Sequence, residues 1–246
     1  MNTDELRRKL EFYQDLGVKE LYRRTPVVVP ESSPVIEAAQ AAPVADVIEL
    51  PGLAPSGDTL LRIIEDIGEC TRCRLHEGRN KIVFGTGDPE ARLVFVGEGP
   101  GADEDAQGIP FVGRAGQLLT QMIENTAAKE GITLKRENVY ICNVVKCRPP
   151  ENRTPEPDEM ATCGQFLYRQ LSVLQPKAIC ALGSTAARAL LGGKEGVTKL
   201  RGKWHKWQDT PLMVTYHPSY LLRPSNQNAK RESWEDLKTV LHFVYD

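Results

Sequence analysis

The chain has 246 residues, of which 41% are hydrophobic and 26% charged, enough apolar content to bury the core of one large domain or two small ones. Lys and Arg number 31 against 33 Asp and Glu, so a net charge of −2 excludes a broadly basic protein and leaves any nucleic-acid contact to local clusters of cations. No stretch approaches the ~18 apolar residues of a membrane-spanning helix, and the opening MNTDELRRKL lacks the apolar centre of a secretory signal; a cytoplasmic protein with no membrane partner is expected.

Residues 1–24 carry a short amphipathic helix pattern, with Leu6, Leu10, Tyr13, Leu16 and Leu21 near one face and Gly17 weakening it. From 25 to 57, Pro26, Pro30, Pro34, Pro43, Pro51 and Pro55 among Ala, Val, Ser and Glu rule out a regular ladder. A flexible tether is the simpler reading of this segment. The alternative is a docking segment for a protein partner, with Leu6, Leu10 and Tyr13 as its contact face. Residues 58–246 alternate strand and helix signals. LLRIIEDI (60–67) has helical periodicity, RLVFVG (92–97) is an apolar strand ending in glycine, AGQLLTQMIENTAAKE (115–130) is a helix and NVYICNVV (138–145) a second strand. PDEMATCGQFLYRQLSVL (157–174) opens with Pro and Asp, good first-turn residues, and reads as a helix. KAICALG (177–183) is a third strand, STAARALLG (184–192) a helix capped by Ser184, LMVTYH (212–217) a fourth strand, and a last helix spans about 228–244. Strands separated by helices predict an α/β fold with a parallel sheet covered on both faces. Function in such a sheet sits at the carboxyl ends of the strands, which here carry GEGPG, Asn143, ALGS and His217.

Six cysteines in a chain with no export signal point away from a disulfide framework and toward a metal. Cys70 and Cys73 form CTRC, a spacing that lets two thiolates reach one centre. Cys147 and Cys163 follow in KCRPPENRTPEPDEMATC. On donor chemistry alone, four thiolates suit zinc and an iron–sulfur cube equally. Cys142 and Cys180 lie within apolar strands and read as small core residues.

GEGPGADEDAQGIPFVGRAGQLL (97–119) is too rich in glycine for packing alone and lets backbone approach a ligand. It lacks the GK[ST] of a phosphate-binding loop, and Pro100 with Asp103, Glu104 and Asp105 stands where a dinucleotide site would need bare helix amides. Phe111, in a loop, suits either the core or a stacking platform for a flat ligand. Asn143 ends an apolar strand, where its amide needs partners: backbone at the sheet end, or the edge of a base. His217, in TYHPSYLLR, is held out of helical conformation by the proline after it.

GEGPGADED, PFVGRAG, NVVKCRPPENRTP and HPSYLLR, in this order and with four cysteines in step, resemble the motifs of family 4 uracil-DNA glycosylases, the iron–sulfur branch of that superfamily. The resemblance runs from about Leu61 to the C-terminus. It implies a three-layer α/β/α sandwich around a central four-stranded, mostly parallel sheet, and a [4Fe–4S] cluster on Cys70, Cys73, Cys147 and Cys163. It implies a DNA repair enzyme that flips uracil out of DNA and hydrolyses the N-glycosidic bond, leaving an abasic site; the alternative is a metalloprotein that binds uracil-containing or abasic DNA without cleaving it. Phe111 would stack on the base, Asn143 would read O4 and N3–H, and His217 would donate to O2. Glu98, Gly99 and Pro100 would line the uracil site. Other uracil glycosylases place an aspartate where Gly99 stands, which leaves Glu98 and Glu104 as candidates for handling water. No lysine stands among the matching site residues, so a monofunctional glycosylase is expected. A monomer is expected, too.

A near-neutral domain needs local cations to meet phosphates, and Arg114, Lys146, Arg148, Arg153, Arg201, Lys203 and Arg223 lie in or beside the expected mouth. In HPSYLLR, Leu221 or Leu222 is expected to fill the gap left by the flipped base.

Overall fold

The computed structural model describes residue 55 and residues 57–246. The helix expected over 1–24, and all but two residues of the tether expected over 25–57, lie outside the described residues.

One sheet organises the described chain. Its strands are β1 (Thr86–Gly87), β2 (Leu93–Gly97), β3 (Tyr140–Asn143), β4 (Ala178–Leu182), β5 (Trp204–Trp207) and β6 (Thr210–Thr215), in the order β1-β3-β2-β4-β6-β5. β3, β2, β4 and β6 run parallel and form the central four-stranded sheet that the alternation of elements predicts. β1 and β5 add antiparallel edges, making a mixed sheet of six. Neither edge carries the apolar run that marks the inner strands: β1 has two residues and β5 is mostly solvent-facing.

The helices are α1 (Leu60–Ile67), α2 (Ala102–Gln107), α3 (Arg114–Lys129), α4 (Pro157–Leu174), α5 (Ser184–Leu191), α6 (Val197–Leu200), α7 (Pro218–Leu221) and α8 (Gln227–Tyr245). Successive strand side chains point to opposite faces. Val94, Val96 and Cys142 therefore pack with Ile63 and Ile67 of α1, Phe166 and Leu167 of α4 and Leu190 of α5. Leu93, Phe95, Ile141 and Cys180 pack on the other side with Leu119 and Ile123 of α3 and Leu237, Val240 and Leu241 of α8. This is the three-layer α/β/α arrangement. Cys142 and Cys180 are fully buried on opposite faces, in the core roles their strands imply. No helix among the described residues is long and apolar enough to cross a membrane.

The N-terminus of α5 differs in detail from expectation. Gly183, at φ +91°, is the capping residue and Ser184 is the first helical residue. Glycine is needed there twice over: L residues rarely adopt that φ, and a Cβ would come within 3.0 Å of the His217 Cβ. α2, with six residues, and α6 and α7, with four each, are too short to show a hydrophobic period.

Candidate active site and cysteine centre

β2 and β3 finish side by side, with Gly97 paired to Asn143. A Cβ on Gly97 would lie 2.4 Å from Asn143 Oδ1 and 2.5 Å from the Phe111 ring, so the missing side chain creates the floor of a pocket. The pocket, about 1000 Å³ including its open mouth, brings together Glu98, Gly99, Pro100, Glu104, Phe111, Asn143 and His217. Asn143 is 1% exposed and its Oδ1 has no hydrogen-bond partner. Leaving a buried acceptor unpaired costs about 1–3 kcal/mol, which a ligand with a donor would recover.

Phe111 sits at φ +54°, unusual for a bulky residue, and its neighbours hold it there. One oxygen of Glu104 accepts the Val112 and Gly113 amides at 2.9 Å each, and the other accepts the Gly101 amide at 3.1 Å. Arg136 donates to the Pro110 carbonyl at 2.6 Å and to Thr120 Oγ1 at 2.9 Å. Gly116 of α3 permits the close approach, since a Cβ there would lie 1.9 Å from the Phe111 carbonyl oxygen. The Phe111 ring ends 5.6 Å from the His217 ring, centroid to centroid.

His217 caps α7. Its Nδ1 accepts the Ser219 amide at 3.2 Å and lies 2.8 Å from Ser219 Oγ. A backbone amide can only donate, so Nδ1 carries no proton and the neutral ring has its N–H at Nε2. Burial pushes the imidazole down to about 4, against the nearby Glu104 carboxylate, which pulls it upward. Glu98 lines the pocket with one carboxylate oxygen accepting the hydroxyl of Thr185, in the first turn of α5.

Cys70, Cys73, Cys147 and Cys163 line a second, tighter recess, about 340 Å³ when its open side is included, and none is in a disulfide. Among the described residues, no three His, Cys, Asp or Glu side chains converge as a single metal ion would require. Tetrahedral zinc would draw its sulfurs to roughly 3.8 Å from one another, whereas a cube of irons and sulfides spreads its four ligands further apart. Buried carboxylates tie this centre to the pocket. Glu159, fully buried, accepts from Arg153 at 2.7 and 2.9 Å, from Arg74 at 2.9 Å and from the Glu156 amide at 2.7 Å. The Arg153 hydrogen bonds hold its carboxyl down to about 2. Asp105, also fully buried, joins α2 to the loop after the first cysteine pair by accepting the Asn80 amide at 2.9 Å.

A sequence profile of the uracil DNA glycosylase superfamily matches residues 84–238. The chain is 45% identical over 190 residues to a type-4 uracil-DNA glycosylase of Thermotoga maritima, covering 76% of this chain and 96% of that protein. It is 41% identical over 191 residues to the type-4 enzyme of Sulfurisphaera tokodaii, covering 74% and 84% of the two chains. Against the type-4 enzyme of Archaeoglobus fulgidus it is 40% identical over 191 residues, covering 74% and 92%. The chain belongs to the type-4 uracil-DNA glycosylases.

In this type-4 uracil-DNA glycosylase, the expected DNA face needs three corrections. Lys146 is 2% exposed and turned inward, donating to the Asn143 carbonyl at 2.7 Å and to Gln170 Oε1 at 2.6 Å, so it cannot meet a phosphate. Arg201 is held by Asp236 at 2.6 Å. Arg153 lines the pocket and is partly exposed, while it shares the buried Glu159 carboxylate with Arg74. Leu221, the last residue of α7, is 1% exposed and belongs to the core, whereas Leu222 is partly exposed. Arg114 and Arg223 are exposed, and Arg148 is partly so, with its Nε on Asn152 Oδ1 at 2.8 Å. Lys203 is exposed and does not line the pocket. The pocket is also held by residues that the sequence did not single out. Thr185 and Arg136 act across 87 and 26 positions of chain, and no local pattern marks either.

Proposed function

We propose that this type-4 uracil-DNA glycosylase receives a flipped uracil in the pocket over Gly97 and releases it by hydrolysis. The observation that carries the reading is the buried, unpartnered Asn143 Oδ1 in the pocket that Phe111 also lines, with a neutral His217 completing the wall. A stacked base is out of reach of any active site, so the nucleotide turns out of the duplex first. Phe111 stacks on the extruded ring. Asn143 Oδ1 accepts the uracil N3–H, and its amide nitrogen donates to O4. Cytosine offers an amino group and a bare N3 at those positions, leaving both contacts mismatched at about 1–3 kcal/mol per buried group.

Cleavage of the C1′–N1 bond leaves negative charge on the departing base. His217 Nε2–H donates to O2 as that charge develops, a stabilisation of about 3–4 kcal/mol for a well-placed donor. With both Glu104 oxygens occupied by backbone amides, its work is to hold the Phe111 loop. Glu98, oriented by Thr185, is the carboxylate that orders the attacking water. Arg114, Arg148 and Arg223 contact phosphates, and Leu222 fills the vacated stack.

The cysteine cavity suits a [4Fe–4S] cluster on Cys70, Cys73, Cys147 and Cys163, which when bound cross-links the loops around the pocket. The protein acts as a monomer, and residues 1–57 serve as a tether or partner-docking segment outside the catalytic domain.

The deciding experiment incubates the protein with an oligonucleotide bearing one U·G pair and then cleaves abasic sites with alkali. A cut that disappears when U is replaced by T is the expected result. No cut from a preparation that retains its cluster would refute hydrolysis and favour a module that binds uracil or abasic DNA.

A further inference from the structure

Arg79 presents a charge problem. Its side chain is only 10% exposed, and the carboxylate paired with it among the described residues, Glu69, lies 3.7 Å away and is fully solvent-facing. A buried guanidinium needs a buried anion nearby, because desolvation of an unmatched charge costs several kcal/mol. The Arg79 hydrogen bonds lead to one place: the Cys70 carbonyl and, at 3.5 Å, the Cys147 sulfur. Arg72 repeats the pattern from the open side. It reaches the Cys70 sulfur at 3.5 Å while its other nitrogen holds Asp66 at 2.7 Å and its plane lies over Phe166. The remaining two sulfurs receive backbone amides, Cys163 from Lys146 at 3.2 Å and Cys73 from Leu75. Each of the four sulfurs therefore has one N–H directed at it, two of them from cations.

Four neutral thiols would not repay the burial of Arg79. A resting [4Fe–4S] core neutralises only part of the charge of four thiolates, and the two guanidiniums stand where the excess falls. We propose that Arg79, assisted by Arg72, is the counter-cation of the cysteine centre, retaining the cluster and setting its reduction potential. This rests on the cluster reading above. Both arginines are positioning residues: neither lines the uracil pocket, and their effect on catalysis passes through the cluster.

The test uses the full chain purified without oxygen, together with Arg79→Met, Arg79→Lys and Arg72→Met. Iron and sulfide per chain, decay of the absorbance near 400 nm under a chelator, and the cluster's midpoint potential are measured on each. Removing an outer partner of a metal ligand typically weakens retention, so Arg79→Met should lose its cluster about 10-fold faster or more. Arg72→Met should show the same direction with a smaller factor, and Arg79→Lys, which keeps the charge, should recover most of the loss. The midpoint should move negative in both Met variants, because an unneutralised anion is harder to reduce. A purely structural role would leave that potential unchanged. Equal decay and equal midpoints in a folded Arg79→Met overturn the proposal while leaving the cluster intact. If Arg79→Met does not fold, Arg72→Met decides, and an unshifted midpoint there overturns it. Absence of iron and sulfide from the unsubstituted chain overturns the cluster reading and the proposal together.

Discussion

His217 is bonded at Nδ1 by the Ser219 amide, and that single contact fixes its tautomer. An imidazole fixed as the Nε2–H tautomer donates a hydrogen bond without having to gain a proton first. Single-turnover excision should therefore show no inflection at the ordinary histidine value and should fall only toward pH 4, where the ring protonates and the Ser219 contact is lost. The sign for stability is the same. The folded-state value lies below the unfolded one, so this residue's contribution is present above about 6.5 and is lost as pH falls to about 4. An imidazole NMR titration of the free protein checks it directly; a His217 midpoint near 6.5 would refute the neutral-donor role. Asn143 makes the complementary prediction. Asn143→Ala should lower single-turnover cleavage of a U·G substrate by about 10²-fold or more, while removing an orphaned acceptor should leave the melting temperature nearly unchanged. Near-normal cleavage by that variant would remove Asn143 from the site.

At the scale of elements, the pocket exists because three segments press on one strained loop. Gly116 near the start of α3, Glu104 in α2 and Arg136 beyond α3 all act on residues 110–113. Helix propensity favours Ala over Gly by up to about 1 kcal/mol, yet Gly116→Ala would drive a Cβ into the Phe111 carbonyl. The variant should be destabilised by about 1–3 kcal/mol, read by thermal unfolding, and should lose more excision activity than stability. Glu159 makes an equivalent joint at the start of α4, where it binds Arg74, directly after the first cysteine pair, and Arg153, between Cys147 and Cys163. Its folded value of about 2, against an ordinary 4.5, means that its contribution is present above 4.5 and is lost as pH falls toward 2. Stability measured across that range should drop more steeply for the unsubstituted protein than for Glu159→Gln. Equal slopes would show that the carboxylate is not the anchor.

For the whole molecule, DNA affinity has to come from few charges. The first 57 residues hold 6 basic and 9 acidic side chains, leaving 25 and 24 for the rest, and several of the cations expected at the mouth are matched internally. Binding to uracil-containing duplex should therefore weaken with salt along a shallow slope, near that of about three phosphate contacts, and Arg223→Ala should reduce it by about one. A chain beginning at Ser56 should retain full excision in the U·G assay, placing residues 1–55 outside catalysis. Much of this was legible in the linear chain. Apolar runs between helical periods mark the four inner strands, and α4 begins and ends where Pro157 and Leu174 predict. Asn143, an amide ending an apolar strand, and the glycine-rich run from 97 stand out from their local pattern, whereas Gly97 itself gains its meaning only from the Cβ positions around it. The edge strands were not legible, because an edge needs no continuous apolar run. Neither was the inward turn of Lys146, Arg201 and Leu221, since a charge or leucine in a motif looks the same whether it meets a phosphate, a carboxylate or the core. Composition and order thus determined the layers, the family and the residue types at the site. Only the tertiary structure decided which polar groups already have partners, because the carboxylates, carbonyls and sulfurs that claim them arrive from distant parts of the chain; Asn143 Oδ1 is the buried acceptor at the pocket that none of them reaches.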